Sequence, residues 1–288
     1  MLIDVRNLCV SFGGKPAVDG VSLSLAKGER LAQDRSTPSH LGGTGLNVNP
    51  SLKQIDRADS RPQSKPENGF DFKRPALAVV GESGSGKSTL ARALLGLAER
   101  PAVVSAERFE IAGQDMRMAS SKQWRRVRGR TIGLMLQDPR YCLNPVMSIG
   151  AQIAECRPDT SVAECLAEVE LSPDIAKRYP HELSGGQGQR AYLAMVLALS
   201  PMLLVADEPT SALDPPLALQ MKDLIERRIL ARNMALLLIT HDIELAQGMA
   251  PQLLVMQDGK VVEEIKAGQA PSHPFTRRLF AAVPRLAC

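Results

Sequence analysis

The eight residues GESGSGKS, Gly81 to Ser88, fit the spacing G-x-x-x-x-G-K-[ST] in full. They follow the short apolar run ALAVV at 76–80 and precede STLARALLGLAE, whose apolar residues recur at helical spacing. Strand, glycine loop and helix in that order let backbone N–H groups turn inward around phosphate oxygens, and the helix N-terminus adds its positive end. Gly81, Ser83, Gly84 and Gly86 would shape the cradle. Lys87 would reach the β- and γ-phosphates, and the hydroxyl of Ser88, next to Thr89, would ligate Mg²⁺. The plainer alternative is a glycine-rich turn beside a surface lysine.

Two acids end another apolar run, LLVADEP. Asp207 would stand at the strand's C-terminal edge and hold Mg²⁺ through water, with Glu208 placed to polarise an attacking water. Alternatively the pair caps the next helix. In LLLITHD, His241 sits at the same edge of the sheet, where it would contact a γ-phosphate unless it is a satisfied structural histidine. Gln137, in GLMLQDP, again lies just past an apolar run. Strand-end features aimed at one place describe phosphoryl chemistry on Mg-ATP.

A second glycine turn, LSGGQ at Leu183–Gln187, leads straight into QRAYLAMVLALS and makes a second helix N-terminus suited to an anion. One nucleotide cannot easily use both turns. Taken in order, Gly81–Thr89, Gln137, Leu183–Gln187, Asp207–Glu208, SALD at Ser211–Asp214 and His241 resemble an ATP-binding cassette (ABC) ATPase. The resemblance implies that two subunits pair head to tail. Ser184, Gly185, Gly186 and Gln187 of one would close over the γ-phosphate held by the other, with Asp214 also at the nucleotide site. It implies ATP and Mg²⁺ as bound groups, Ser88, Gln137 and Asp207 about the metal, and Glu208, His241 and Lys87 in the catalytic step. The partner cassette would be identical or a paralogue.

More narrowly, LQDPRYCLNPVMSIGAQIAE, RYPHELSGG, DEPTSALD and PSHPFTRRLFAAVPRL are similar to the ATPase subunits of peptide and nickel importers. That likeness covers essentially everything outside 33–75. It implies that Phe12 stacks on adenine, with plain core as the alternative, and that Gln137 reports the metal's state to a following segment in touch with a permease loop. The full system would include integral membrane permease subunits and an extracytoplasmic solute-binding protein, with peptide and nickel both open as cargo. Three departures stand out: GERLA is parted from LAVVGESG, only 47 positions separate Gln137 from Ser184, and the turn continues as GQGQR with Gly188 near the helix start. The last two bear on permease contacts rather than on ATP. Some relatives carry a cysteine cluster in the tail; this chain ends at a solitary Cys288, so no iron–sulfur site is expected.

These motifs need a scaffold, and 288 residues at 44% hydrophobic supply ample apolar material for one. MLIDVRNLCVSF and VSLSLAKGER around GGKP predict antiparallel strands. MLLVADE and ALLLIT, with LALQMKDLIERRILAR between them, predict a parallel sheet wrapped by helices. VMSIGAQIAE and SVAECLAEVEL predict short helices, and HPFTRRLFAAVPRL one more. The expected fold class is α/β: a P-loop NTPase core with a mainly parallel sheet, an N-terminal antiparallel β subdomain and a small helical signature subdomain. The expected divisions are 1–32 (β part), 33–75 (disordered insertion), 76–137 (P-loop core), 138–190 (helical subdomain), 191–265 (second part of the core) and 266–288 (tail).

The stretch 33–75 is rich in Ser, Pro, Asn, Gly and charge, and is expected to bulge from the sheet edge opposite the ATP site. Its seven Lys/Arg and five Asp/Glu account for half of the formal +4, which weakens any case for nucleic acid. The five cysteines form no metal-ligand spacing and suit a reducing compartment without disulfides. No secretory leader and no run of about 18 apolar residues occurs, so attachment at the cytoplasmic face of the inner membrane is expected only through a partner. Two rivals are a soluble cassette ATPase acting on DNA or ribosomes and a structural partner disabled by the insertion. The first is disfavoured by a single cassette without heptads or cysteine modules, the second by intact Lys87, Asp207, Glu208 and His241.

Overall fold

The opening alternation of apolar and polar residues folds into a hairpin. β1 (Ile3–Phe12) and β2 (Lys15–Leu25) pair antiparallel, burying Ile3, Val5, Leu8 and Val10. A bulge resets the alternation between Val5 and Leu8, where Asn7 takes φ 51°. This computed structural model describes residues 1–27, 75–139 and 142–282, all within one compact unit. The insertion expected at 33–75 lies outside the described residues apart from Pro75, as does Cys288.

β3 (Ala76–Gly81) runs into the glycine loop and α1 (Lys87–Leu94). The helix expected to continue through LGLAE stops at Leu94. Gly96 takes φ 61°, and a Cβ there would lie 2.4 Å from the Trp124 ring, so glycine ends the helix. The Arg128 guanidinium then donates to Leu95 O at 2.8 Å and Gly96 O at 2.6 Å, satisfying carbonyls that the helix leaves open.

β4 (Ala102–Ser105), β5 (Arg108–Ile111) and β6 (Gln114–Asp115) return to the first sheet, ordered β2–β1–β5–β6 with β4 also on β1. α2 (Ser121–Val127) follows, started by a Ser120–Gln123 capping box. No element was expected here, because strands of four residues or fewer are too short to show a period.

β7 (Ile132–Met135) opens the second sheet. The predicted short helices appear as α3 (Ile149–Cys156) and α4 (Val162–Glu168), each begun by a serine whose side chain accepts a backbone N–H. α5 (Gly185–Ala198) runs unbroken past residue 190. β8 (Leu203–Asp207), α6 (Pro215–Arg232), β9 (Ala235–Thr240), α7 (Ile243–Met249), β10 (Gln252–Gln257), β11 (Lys260–Lys266) and α8 (Pro274–Ala281) complete the order. The second sheet reads β11–β10–β3–β9–β8–β7, parallel except for edge strand β11, so the α/β fold class holds.

The central strands are continuous apolar runs because both faces are covered. Ala78, Val80, Leu204, Ala206, Leu236 and Leu238 face the core shared with α5, α6 and α7. Their neighbours Leu77, Val79, Leu203, Val205, Leu237 and Ile239 face the core shared with α1 and the first sheet. Leu237 is fully buried on central strand β9, so Leu237→Ala is expected to cost about 2–5 kcal/mol, read from denaturant unfolding.

Candidate nucleotide and metal site

Parallel strands end at one edge, and that edge carries the chemistry. After β3, the loop curls around the ammonium of Lys87, which donates to Gly81 O at 2.9 Å and Glu82 O at 2.8 Å and lies 3.5 Å from Ser85 Oγ. Burial lowers the Lys87 pKa, opposed by the charges of Glu208 and Asp207. Gly86 begins α1 with φ 99°. A Cβ on Gly86 would stand 2.3 Å from the carbonyl oxygen of Ala17. The same β2 segment meets the turn between β10 and β11: Gly259 N donates to Ser85 O at 3.1 Å, and Asp19 N to Gly259 O at 2.8 Å. First sheet, phosphate loop and second-sheet hairpin therefore meet at one backbone junction.

β8 delivers the acids. Ser88 Oγ donates to Asp207 Oδ1 at 3.1 Å, joining the start of α1 to the end of β8. Among the described residues no group of three or more His, Cys, Asp or Glu could hold a metal. Ser88 and Asp207 nevertheless fit Mg²⁺, a hard cation that is bound through one or two protein oxygens plus phosphate and water. Glu208 takes the left-handed φ of 52°, with its N–H on Ile239 O at 2.8 Å. Its carboxylate accepts from His241 N at 3.0 Å and lies 2.7 Å from His241 Nδ1, with Thr240 Oγ1 at 3.4 Å.

Asp207 is 5% exposed, and burial raises its carboxyl pKa; the Ser88 hydrogen bond draws it back and the Glu208 charge raises it further. A carboxyl raised on folding stabilises the native state below its unfolded pKa, and that contribution is lost as pH rises through the folded value. The melting temperature of the nucleotide-free protein should therefore carry a falling component from about pH 4 upward. Asp207→Asn should remove that component and melt higher near neutral pH without nucleotide. A variant melting lower at every pH would make Asp207 a structural group instead.

A cleft of about 620 Å³ gathers Gly81, Ser83, Gly84, Gly86, Lys87, Ser88, Thr89, Gln137, Glu208 and His241. Asp207 reaches it through Ser88. Ala17 and Leu279 also line it and were not anticipated. Ala17 acts by its backbone and leaves no side-chain signal, while Leu279 is one apolar position on the tail helix α8.

Six expected nucleotide contacts, Phe12, Ser184, Gly185, Gly186, Gln187 and Asp214, lie outside this cleft. Ser184 starts α5, its Oγ accepting from Gln187 N at 3.3 Å while Gln187 Oε1 accepts from Ser184 N at 3.1 Å. Ser184 and Gly185 line a separate hollow of about 530 Å³ with Asp138, Pro139 and Leu213, which shares no lining residue with the phosphate-loop cleft. Gly186 follows, buried, and a Cβ on Gly185 would meet nothing within 4 Å, so the turn is open to an approaching group. Phe12 ends β1 at 37% exposure and Asp214 precedes α6 without a capping bond; neither lines the cleft. Gln189 Nε2 donates to Pro209 O at 3.0 Å, tying the signature helix to the loop after Glu208.

The family model described as ABC transporter matches residues 72–211. The dipeptide transport ATP-binding protein DppD of Escherichia coli (strain K12) is 41% identical over 228 residues, spanning 73% of this chain and 69% of the relative. The chain belongs to the ABC transporter family. DppD of Haemophilus influenzae is 34% identical across 99% of this chain and 78% of its own length. The glutathione import ATP-binding protein GsiA of Salmonella paratyphi A is 40% identical over 73% of this chain but only 37% of that protein. In fold, the cassette matches the dimeric post-hydrolysis structure of MJ0796 bound to ADP and Pi at a TM-score of 0.67 and 22% identity, covering 93% of this chain and all of that one. It matches cbiO1 from Clostridium perfringens at a TM-score of 0.68 and 20% identity, over 99% of this chain and 96% of that one. As an ABC cassette, the chain is of the ATPase class.

Proposed function

We propose that this cassette binds Mg-ATP in the cleft at Gly81–Thr89, hydrolyses it with Glu208 as general base, and so powers import of peptides through a membrane permease. The observation that carries this is the 3.1 Å contact between Ser88 and Asp207, which brings two oxygens suited to Mg²⁺, one from the start of α1 and one from the end of β8, beside Lys87 and Glu208. Bound Mg²⁺ would neutralise phosphate charge during transfer. Lys87 would exchange its carbonyl partners for phosphate oxygens, and Glu208 would take the proton of the attacking water while His241 holds its carboxylate in place. The separate hollow at Leu183, Ser184 and Gly185 supports a two-cassette arrangement, in which each signature turn serves the partner's nucleotide.

The cargo reading follows from relatives named for dipeptides and glutathione, which favour peptide over nickel. Among the described residues no helix is long and apolar enough to cross a membrane, so the path for cargo is assigned to permease subunits supplied by extracytoplasmic solute-binding protein. The working position is the cytoplasmic face of the membrane.

The test is a Mg-ATP titration read as thermal stabilisation. Ligand at about a hundred times its dissociation constant adds about 2.7 kcal/mol to a folded state that alone binds it. For a domain of this size that is on the order of 5–10 °C. Lys87→Ala should abolish the shift. A folded sample with no shift would favour the disabled-partner reading, and would make deletion of 33–75 the next experiment.

A further inference from the structure

Between Asp115 and Asp138 the chain holds six cations, Arg117, Lys122, Arg125, Arg126, Arg128 and Arg130, and no acid. Two of them are engaged within the fold. Arg117 forks onto Asp115 and donates to Glu107 O at 3.0 Å, and Arg128 closes the end of α1 with its guanidinium 5.5 Å from the centre of the Trp124 ring. Lys122, Arg125, Arg126 and Arg130 are exposed, and none has a side-chain hydrogen bond or ion pair among the described residues. The first three stand at i, i+3 and i+4 of α2 and so share its outer face, while Trp124 packs edge-on to Phe109 and Val127 is buried on the inner one. These four charges equal the formal net charge of the whole chain, so the patch is local rather than the by-product of a basic protein.

Exposed apolar side chains lead into the start of α2, where Met118 stands two residues before the Ser120 cap. Met118 is 95% exposed and Val104 39%, and with Trp124 they line a hollow of about 700 Å³ between the end of α1, β4 and α2. Leu97, 38% exposed, sits beside that hollow's Gly96 and Ala98. Cations alone would serve nucleic acid or an acidic loop. Cations flanked by exposed apolar groups fit a surface whose charged headgroups overlie hydrocarbon.

We propose that the outer face of α2, Arg130 and the Met118 edge form a docking surface for an anionic lipid bilayer, so that the cassette touches the membrane directly as well as through its permease. Docking of this face does not depend on ATP turnover. Each basic side chain near an anionic surface strengthens binding about fivefold, so four together should contribute on the order of several hundredfold.

The test is co-sedimentation of the full chain with sucrose-loaded vesicles, either phosphatidylcholine alone or equal parts phosphatidylcholine and phosphatidylglycerol. The wild type should bind the anionic vesicles, release them as salt rises, and ignore the neutral ones. The combined variant K122Q/R125Q/R126Q/R130Q should lose on the order of several hundredfold in partitioning. Met118→Ser should lose severalfold with the salt dependence unchanged. Binding that is absent, equal on neutral vesicles, or untouched by the four substitutions would overturn the proposal. So would tight binding of a fluorescent DNA duplex that Met118→Ser leaves alone, which would make the patch a general polyanion site. Both variants should keep the melting shift with Mg-ATP, which separates lost docking from lost folding. A wild type that docks without that shift would remove the hydrolysis reading and leave this one standing.

Discussion

Glu208→Gln keeps Mg-ATP and loses turnover by roughly 10²- to 10⁴-fold, the range a positioned general base contributes. The substitution is close to isosteric. An amide oxygen can still accept from His241 N, so the left-handed turn at residue 208 and the 3.0 Å contact have no reason to shift. Only proton affinity is removed. The melting shift with Mg-ATP should therefore match the wild type, or exceed it because the nucleotide is no longer consumed. Single-turnover phosphate release should collapse over the same concentrations. Turnover within tenfold of wild type would take the base role away from Glu208.

The second large effect is predicted at a residue with no chemistry of its own. Gly86→Ala places a methyl group 2.3 Å from the Ala17 carbonyl oxygen in a backbone conformation that side chains rarely adopt. The left-handed conformation alone costs about 1–2 kcal/mol. The clash adds more, because the obstacle is backbone fixed within β2. Either the phosphate loop or β2 must move, and the expected outcome is a lower melting temperature with the Mg-ATP shift absent. Gly84→Ala is the control: its φ is also positive, at 83°, but its Cβ would meet nothing within 4 Å. It should show the conformational cost without the steric one. Equal behaviour of the two variants would show that the junction at Ala17 does not position the loop.

Legibility in the sequence tracked how each feature is built. Gly81–Ser88, Asp207, Glu208 and Ser184–Gln187 are contiguous runs whose residue types carry the chemistry, and they could be read without knowing what lies opposite them. β3, β8 and β9 were legible because burial on both faces leaves unbroken apolar runs. The junction at Ala17 was not, since it is a carbonyl meeting a glycine almost seventy positions away, and neither contributes a side chain. The end of α1 was misjudged for a related reason. Helical spacing persists through Leu95 and Leu97, but the stop is imposed by Trp124, which lies on an element the sequence did not announce. β11 was passed over because it is a partly solvent-facing edge where the apolar signal thins, whereas β10, with Leu253–Met256 buried in one run, carried the same signal as β9 and was missed.

The phosphate loop and the signature turn line separate hollows of one chain. On the proposed two-cassette arrangement, and with an identical partner, an enzyme divided in this way counts its own copies. In dilute solution the rate per chain should climb with concentration until the pair is saturated, and dilution alone should silence it. A membrane complex that seats two cassettes side by side would then act as an effective-concentration device, raising one copy's supply of the other without altering a single contact at the nucleotide.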